Sequence, residues 1–381
     1  MRILIVDTDY GAFLGDFYSR HPGLADASYD EQVAARRQEL FGIAHSYATH
    51  LGRLGHETAA ICPNNAHAQR AWAREHGRRR LPPLAGLEAI AEGASRRLRR
   101  GRPWLEEVLV AQVRAFRPDV LVCLSIVAVD PLLISEVRDT VGLVVGQHAA
   151  TPLPNIDRLG CYDLLVSSYP PTVEALRTCG LTAEHLRLAF DPDVLAHVPD
   201  ERVVHDVAFV GNLYEGVHNS RVVLLERLCE HFGGMGIWTA SVDELPEAST
   251  IRRRYAGSAW GIDMYQVFRS SRIVVNHHGD FSQYANNSRL FEATGCGALL
   301  VTDAKANLPE MFVVGTELLA YEDVDECIEL IERHLADESA CAAVALAGQS
   351  RTLRDHTYDL RMRELLDLAA SKLPPSRVAH G

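Results

Sequence analysis

One carboxylate interrupts an apolar helical stretch late in the sequence. Glu292 stands among Leu290, Phe291 and Ala293 in NNSRLFEATGCGALLVTD, residues 286–303. A carboxylate can accept hydrogen bonds from two neighbouring hydroxyls, and the 2′ and 3′ hydroxyls of a ribose form such a pair. The helix begins near Asn286, Asn287 and Ser288, with Arg289 next, so its free N–H groups can face a diphosphate. Gly295 and Gly297 permit close backbone approach. The plainer alternative is that Glu292 pairs or caps at a surface, and the residues alone leave both open.

A second anion site is written in DVAFVGNLYEGVHNSRVVLLERL, residues 206–228. A strand, a Gly211-Asn212 loop and a helix start can together hold a phosphate. Arg221 lies in the first turn of that helix and His218 three residues before it. Each could instead be a solvated surface residue. Trp260 and Gly261 could offer a stacking face and backbone hydrogen bonds, or Trp260 could be core. His148 ends a strand and can donate to a hydroxyl or take its proton. Asp9 ends the first strand–loop unit and is a second candidate base. The pair His277-His278 invites a metal reading, but neighbours on a strand point to opposite faces. No metal is expected.

Alternating strands and helices must position these residues. RILIVD (2–7), HETAAICP (56–63), RPDVLVCLS (117–125), GLVVGQHA (142–149) and YDLLVSS (162–168) read as buried parallel strands. Helices are expected at 41–55, with Gly55 as the C-terminal stop, and at 104–116; TDYGAFLGDFY (8–18) reads as a loop. The pattern restarts after a Pro-containing connection at 190–205. Strands follow at 206–212, 236–241, 272–279 and 298–303, with helices at 220–232, 262–271 and 288–297 and two more at the end. This predicts an α/β fold of two facing, doubly wound Rossmann-like domains, residues 1–195 and 205–355. Residues 356–381 would form a helix returning to the first domain. Ligands of such sheets bind at the carboxyl ends of the strands, so the expected site lies between the domains.

Composition narrows the partners. A net charge of −12 over 381 residues argues against nucleic acid as the main partner. No run approaches the ~20 apolar residues of a membrane span, and MRILIVDTDY has no signal-peptide order, so a cytoplasmic protein is expected. Eight scattered cysteines without a CxxC suit reduced thiols rather than structural zinc. The arginines between Arg78 and Arg102 read as a solvated face that could also meet an anionic acceptor or a membrane surface.

The segment with Arg289, Phe291, Glu292, Ala293, Gly297, Leu299, Leu300, Thr302 and Asp303, continued by NLPEMFVVGTELLAYEDVDECIELIERHLAD (307–337), resembles the "glycosyl transferases group 1" clan. Within it the likeness is to the spore-maturation-protein-like branch, over roughly residues 205–370. The resemblance implies the GT-B fold, with a nucleotide-sugar donor in the C-terminal domain and the acceptor mostly in the N-terminal one. It also implies metal-independent, retaining transfer without a cofactor. The residue at the place of Glu292 then binds the donor ribose, and basic residues after the 206–212 strand hold the diphosphate. The Trp260–Gly261 loop lies by the nucleobase, and a histidine at the place of His148 touches the donor sugar. Typical members carry a second glutamate eight residues before the first; Tyr284 stands here, so His278, Asn286 or Asn287 could serve that end. If transfer inverts, Asp9 or His148 is the base; if it retains, the leaving phosphate can take the proton.

Two other readings stay open, a non-hydrolysing sugar-nucleotide epimerase and a non-catalytic nucleotide-sugar-binding protein. A receiver domain is disfavoured because Cys123-Leu124-Ser125 ends the third strand where a phosphoacceptor Asp would be needed. Nucleobase, sugar, acceptor and oligomeric state are not written in these residues.

Overall fold

The computed structural model describes residues 1–77, 104–148, 152–199 and 203–372. The Arg78–Arg102 stretch lies outside the described residues. The chain divides into two compact units, one of Met1–Leu186 with Met362–Gly381 and the other of Arg187–Arg361.

The first unit is built on six parallel strands, β1 (Arg2–Val6), β2 (Glu57–Ile61), β3 (Val120–Cys123), β4 (Leu143–His148), β5 (Leu164–Ser167) and β6 (Ala183–His185). They lie in the order β2-β1-β3-β4-β5-β6. Helices α1 (Gly11–Arg20), α2 (Tyr29–Gln38), α3 (Ala44–Arg53), α4 (Ala66–Glu75), α5 (Trp104–Phe116), α6 (Pro131–Val137) and α7 (Pro170–Thr178) connect and cover them. β3, β4 and β5 are buried along their whole length, as strands covered on both faces must be. Two helical boundaries follow the sequence signals closely. α5 spans the expected 104–116, and Gly55 follows α3 with φ 87°, the left-handed geometry that ends a helix.

The 8–18 stretch is a correction. Residues from Gly11 form α1, although no side chain caps its start. What holds it is tertiary: Phe13 and Phe17 are fully buried, and Phe13 stacks on Phe41 at 4.1 Å. α2, also unread in the sequence, carries a full capping box between Ser28 and Glu31.

The second unit repeats the plan. After α8 (Val194–His197), its strands are β7 (His205–Val210), β8 (Gly236–Trp238), β9 (Tyr255–Gly257), β10 (Ser271–Asn276), β11 (Leu299–Asp303) and β12 (Leu319–Tyr321). Their order is β12-β11-β10-β7-β8-β9, all parallel. The chain runs outward from β7 in one direction through β8 and β9. It then returns to β7's other side with β10 and continues to β12. The order therefore reverses between β7 and β10, the place where the crossover loops part and leave a crevice. Helices α9 (Asn219–His231), α10 (Thr250–Arg253), α11 (Gly261–Arg269) and α12 (Arg289–Gly295) serve this sheet.

Three helices close the chain where two were expected: α13 (Val324–Ala336), α14 (Glu338–Asp355) and α15 (Tyr358–Ala370). Asp337 makes the extra break. It ends α13 and, in extended conformation, caps α14 by accepting from the Ala340 N–H at 2.9 Å. None of the helices among the described residues is long and apolar enough to cross a membrane.

Two glycines test this packing in opposite directions. A Cβ at Gly348, inside α14, would run into the Glu317 carbonyl oxygen, whereas one at Gly15, inside α1, meets nothing within 4 Å. Gly348→Ala should cost about 1–3 kcal/mol through overpacking. Gly15→Ala should gain up to about 1 kcal/mol of helix propensity. Thermal unfolding of the two variants should therefore move Tm down and up, respectively.

Candidate functional site

The crevice end of the second sheet gathers the polar residues expected from the sequence. β7 ends in the Gly211-Asn212 loop, β10 runs into His277-His278, and β11 ends in Asp303. Arg221, in the first turn of α9, lies across the reversal point. It is 8% exposed. It donates from Nη1 to the Asn212 carbonyl at 2.7 Å and from Nε to the His277 carbonyl at 2.9 Å. Nη2 also donates to the His277 carbonyl. Burial, then the nearby charge of Arg289, brings its pKa down to about 10, so it remains a cation at neutral pH. Among the described residues no carboxylate pairs with it.

Arg289 is the second cation. Its Nη1 meets Glu292 Oε2 at 2.6 Å and Met264 Sδ at 3.2 Å, and its guanidinium lies over the Phe268 ring at 5.2 Å. Glu292 is thus ion-paired within its own helix, and a ribose would share the carboxylate with Arg289. Gly211 keeps room at this point, because a Cβ there would meet Phe209 at 3.1 Å and Arg289 at 3.8 Å.

The start of α9 departs from its expected role. The N–H groups of Asn219 and Ser220 donate to Asp280 at 2.9 and 3.2 Å, and the Ser220 hydroxyl donates there as well. A carboxylate of the protein already fills the anion position of this helix. His218 brings no charge either: burial first, then Arg221, pushes its pKa down to about 4, and its Nδ1 accepts from the Tyr214 N–H at 3.2 Å. The start of α12 is different, since no side chain caps it at Ser288.

His277 and His278 do not point apart, because β10 ends before them at Asn276. His278 Nδ1 lies 2.7 Å from Asp303 Oδ1, and His277 Nδ1 lies 3.9 Å from Asp303 Oδ2. His277 also bridges Ser220 Oγ at 2.9 Å and the Tyr321 hydroxyl at 2.9 Å. Lys305 Nζ completes the group, 3.0 Å from Asp303 Oδ2. Burial alone would raise the Asp303 carboxyl. The hydrogen bond from His278 and the positive charges around it prevail and hold it well below the usual carboxylate range. An ionised Asp303 must accept, so His278 Nδ1 carries the hydrogen, and in the neutral ring Nε2 presents a lone pair.

Among the described residues that Nε2 has no partner, although His278 is only 2% exposed. The buried amide oxygens of Asn286 and Asn287 are equally unpartnered. Asn287 spends its Nδ2 on Asn276 at 2.9 Å, and Asn276 in turn donates to Thr302 Oγ1 at 2.9 Å. Buried polar atoms are nearly always satisfied, so three acceptors around one strand end point to a hydroxyl-bearing ligand. Trp260 and Gly261 sit at the start of α11, Trp260 half-buried and Gly261 buried at φ 48°. Tyr284 is half-buried.

Asp303 entered the sequence reading only as part of the family-like pattern, with no role in the site, and Lys305, Asp280 and Tyr321 were not singled out. Asp303 was visible as a carboxylate ending a strand. The others are joined to the site only by tertiary contacts. The two candidate bases lie in the first unit. His148 is buried at the end of β4, with its carbonyl accepting from Ser167 Oγ at 2.9 Å. Asp9 is held through both oxygens by Arg36, at 2.8 Å from Nε and again from Nη2.

Residues 225–367 match a family model described as "Glycosyl transferase-like". The match includes His278, Asn286, Asn287 and Glu292 but begins after Arg221. No curated protein matches the chain in sequence. Solved structures match it along nearly its whole length. Sucrose-phosphate synthase from Thermosynechococcus elongatus is 11% identical, with a TM-score of 0.58 over 97% of this chain and 98% of that one. Anabaena HepE, solved in complex with UDP-glucose, is 12% identical, with a TM-score of 0.60 over 97% and 100%. A glycosyltransferase from Rickettsia africae is 10% identical, with a TM-score of 0.58 over 96% and 97%. At these identities the likeness is one of fold, and the fold is GT-B.

The His278–Asp303 pair has a pH signature. Because the folded carboxyl titrates below its ordinary 3.8, the ionised group stabilises the fold above pH 3.8. That contribution is lost as the pH falls toward the folded value. Asp303→Asn should cost about 3 kcal/mol at pH 7. In urea unfolding, the deficit against the parent should narrow steadily below pH 3.8.

Proposed function

We propose that this GT-B glycosyltransferase takes a sugar from a nucleoside-diphosphate donor held at the β7, β10 and β11 ends of its second unit and transfers it to an acceptor. The observation that carries the donor assignment is the trio of unpartnered buried acceptors, His278 Nε2, Asn286 Oδ1 and Asn287 Oδ1, beside the cation of Arg221. Sugar and ribose hydroxyls are donors that satisfy such atoms, and a diphosphate is the anion that suits two neighbouring guanidiniums. The UDP-glucose complex of the HepE structure is in keeping with such a donor.

In this reading Arg221 and Arg289 meet the charge of the leaving diphosphate, helped by the uncapped start of α12. Protein cations then do the work that a metal does elsewhere, and transfer is metal-independent and needs no cofactor. Glu292 takes the ribose hydroxyls. His278, Asn286 and Asn287 hold the sugar end, where Tyr284 offers no carboxylate. Trp260 and Gly261 face the base. Transfer retains the anomeric configuration, with the leaving phosphate accepting the acceptor's proton, since both Asp9 oxygens are committed to Arg36. His148 is left to orient substrate rather than to act as base. In this reading the chain belongs with the spore-maturation-protein-like branch, which the pattern from Arg289 to Asp303 resembles.

A thermal-shift panel of nucleoside diphosphates and their sugars tests the donor. One class should raise Tm, by an amount equivalent to about 2.7 kcal/mol at a hundred times its Kd. Glu292→Ala should weaken that ligand at least tenfold, in line with a lost charge-assisted hydrogen bond of about 1.5–3 kcal/mol. A panel with no shift at all removes the donor reading. An undiminished shift in the variant removes the ribose role of Glu292.

A further inference from the structure

His277, just past the end of β10, makes hydrogen bonds whose protons can be counted. Its Nε2 lies 2.9 Å from Ser220 Oγ, and its Nδ1 lies 2.9 Å from the Tyr321 hydroxyl. The Ser220 hydroxyl donates to Asp280, and the Tyr321 hydroxyl donates to the Asn276 carbonyl at 2.8 Å. Each hydroxyl has a single hydrogen, and a carboxylate or a carbonyl can only accept. Burial alone would raise the Asp280 carboxyl. The hydrogen bonds from Ser220 and Asn219 prevail and hold it below the usual carboxylate range, so it is ionised. Burial pushes the Tyr321 phenol well above its usual range, so it keeps its hydrogen.

Both ring nitrogens must therefore donate if all four bonds are to be made, and that requires the imidazolium. A neutral ring falls one hydrogen short. With its hydrogen on Nε2, Nδ1 must accept from Tyr321, and the Asn276 carbonyl loses that donor. With its hydrogen on Nδ1, Nε2 must accept from Ser220, and Asp280 loses that hydroxyl.

The charges facing the ring decide which form it takes. Asp303, at the end of β11, favours the cation, with Oδ2 3.9 Å from Nδ1. Asp280 favours it from the Ser220 side. Against them stand burial first, then Arg221 from α9, Lys305 after β11 and the adjoining His278. His218, before α9, is kept neutral. Burial and the cations prevail and hold the ring below its ordinary 6.5, so near neutral pH it lacks the second proton. A diphosphate beside Arg221 and Arg289 reverses that balance, because its charges offset the two guanidiniums. We infer that donor binding draws a proton from solvent onto His277, so that the ring joins Arg221 and Arg289 as a third cation for the diphosphate and releases the proton when the nucleotide leaves. This rests on the donor reading above. The diphosphate of a nucleotide-sugar does not itself titrate near neutrality, so proton uptake reports the protein.

Isothermal titration calorimetry of the full chain tests it, with UDP-glucose, dTDP-glucose, ADP-glucose and GDP-mannose as probes, each in PIPES and in Tris buffer. The dependence of the heat on the buffer counts the protons. At about pH 7 the nucleotide-sugar that binds should carry in at least about half a proton, and its Kd should rise by up to about tenfold per pH unit above that. In His277→Gln, whose amide keeps a donor and an acceptor, the uptake and the pH slope should both vanish, and the Kd should meet the parent's at high pH. A merely structural role for His277 would shift Kd alike at every pH. Tyr321→Phe removes the bond that calls for hydrogen on Nδ1 and should at least halve the uptake; it carries the test alone if His277→Gln fails to unfold cooperatively. Donor binding without proton uptake in the parent, or uptake unchanged in either folded variant, overturns the inference. Binding of none of the probes sinks the donor reading and this inference with it.

Discussion

Arg221 carries a full positive charge into the interior of the second unit, and among the described residues its side-chain hydrogen bonds go to carbonyl oxygens alone. The guanidinium joins the Asn212 carbonyl, after β7, to the His277 carbonyl, after β10. These two strands are the ones between which the sheet reverses its order. A planar fork can span the two carbonyls, and a lysine's single point of charge could not. Removing a cation from water costs several kcal/mol, and neutral dipoles return only part of it. The crevice is therefore held open by a group that still gains from meeting an anion.

The surrounding residues direct where that anion can sit. Asp280 closes the start of α9 and takes the first two N–H groups of the helix that carries Arg221. The start of α12 has no side-chain cap, and Arg289 stands at it beside Gly211. Positive potential is thus concentrated on the α12 side. On that side too lie the unpartnered atoms of Asn286, Asn287 and His278. Asp303 orients the His278 ring, and the hydrogen bond from His278, with the Lys305 ammonium beside it, keeps Asp303 ionised. The polar network behind the site is well satisfied, while its front presents acceptors.

Nine of the twelve strands among the described residues were legible because buried parallel strands are nearly continuous apolar runs, as in LVVGQH of β4 and LLVTD of β11, whereas the three-residue edge strands β6, β9 and β12 carry too short a run to be read. α5 was legible because its apolar face repeats at helical spacing from Val108 to Val113. α1 was not, because glycines at 11 and 15 weaken its local signal and the aromatic contacts of Phe13 and Phe17 belong to the folded unit. In the site, Glu292 and His278 could be singled out by type and position. The pairing of Glu292 with Arg289 was within reach of an i,i+3 reading. Asp280 on α9 and the convergence of both histidines on Asp303 were not, since each depends on which loops the sheet order brings together.

The central claim is that the donor binds where β7 and β10 part, in the second unit. Hydrogen–deuterium exchange of the full chain, with and without the nucleotide-sugar that stabilises it most, tests this directly. The account predicts slowed exchange concentrated in residues 211–221 and 277–292, with little change around α13. Protection absent from both segments, or confined to the first unit, would contradict it.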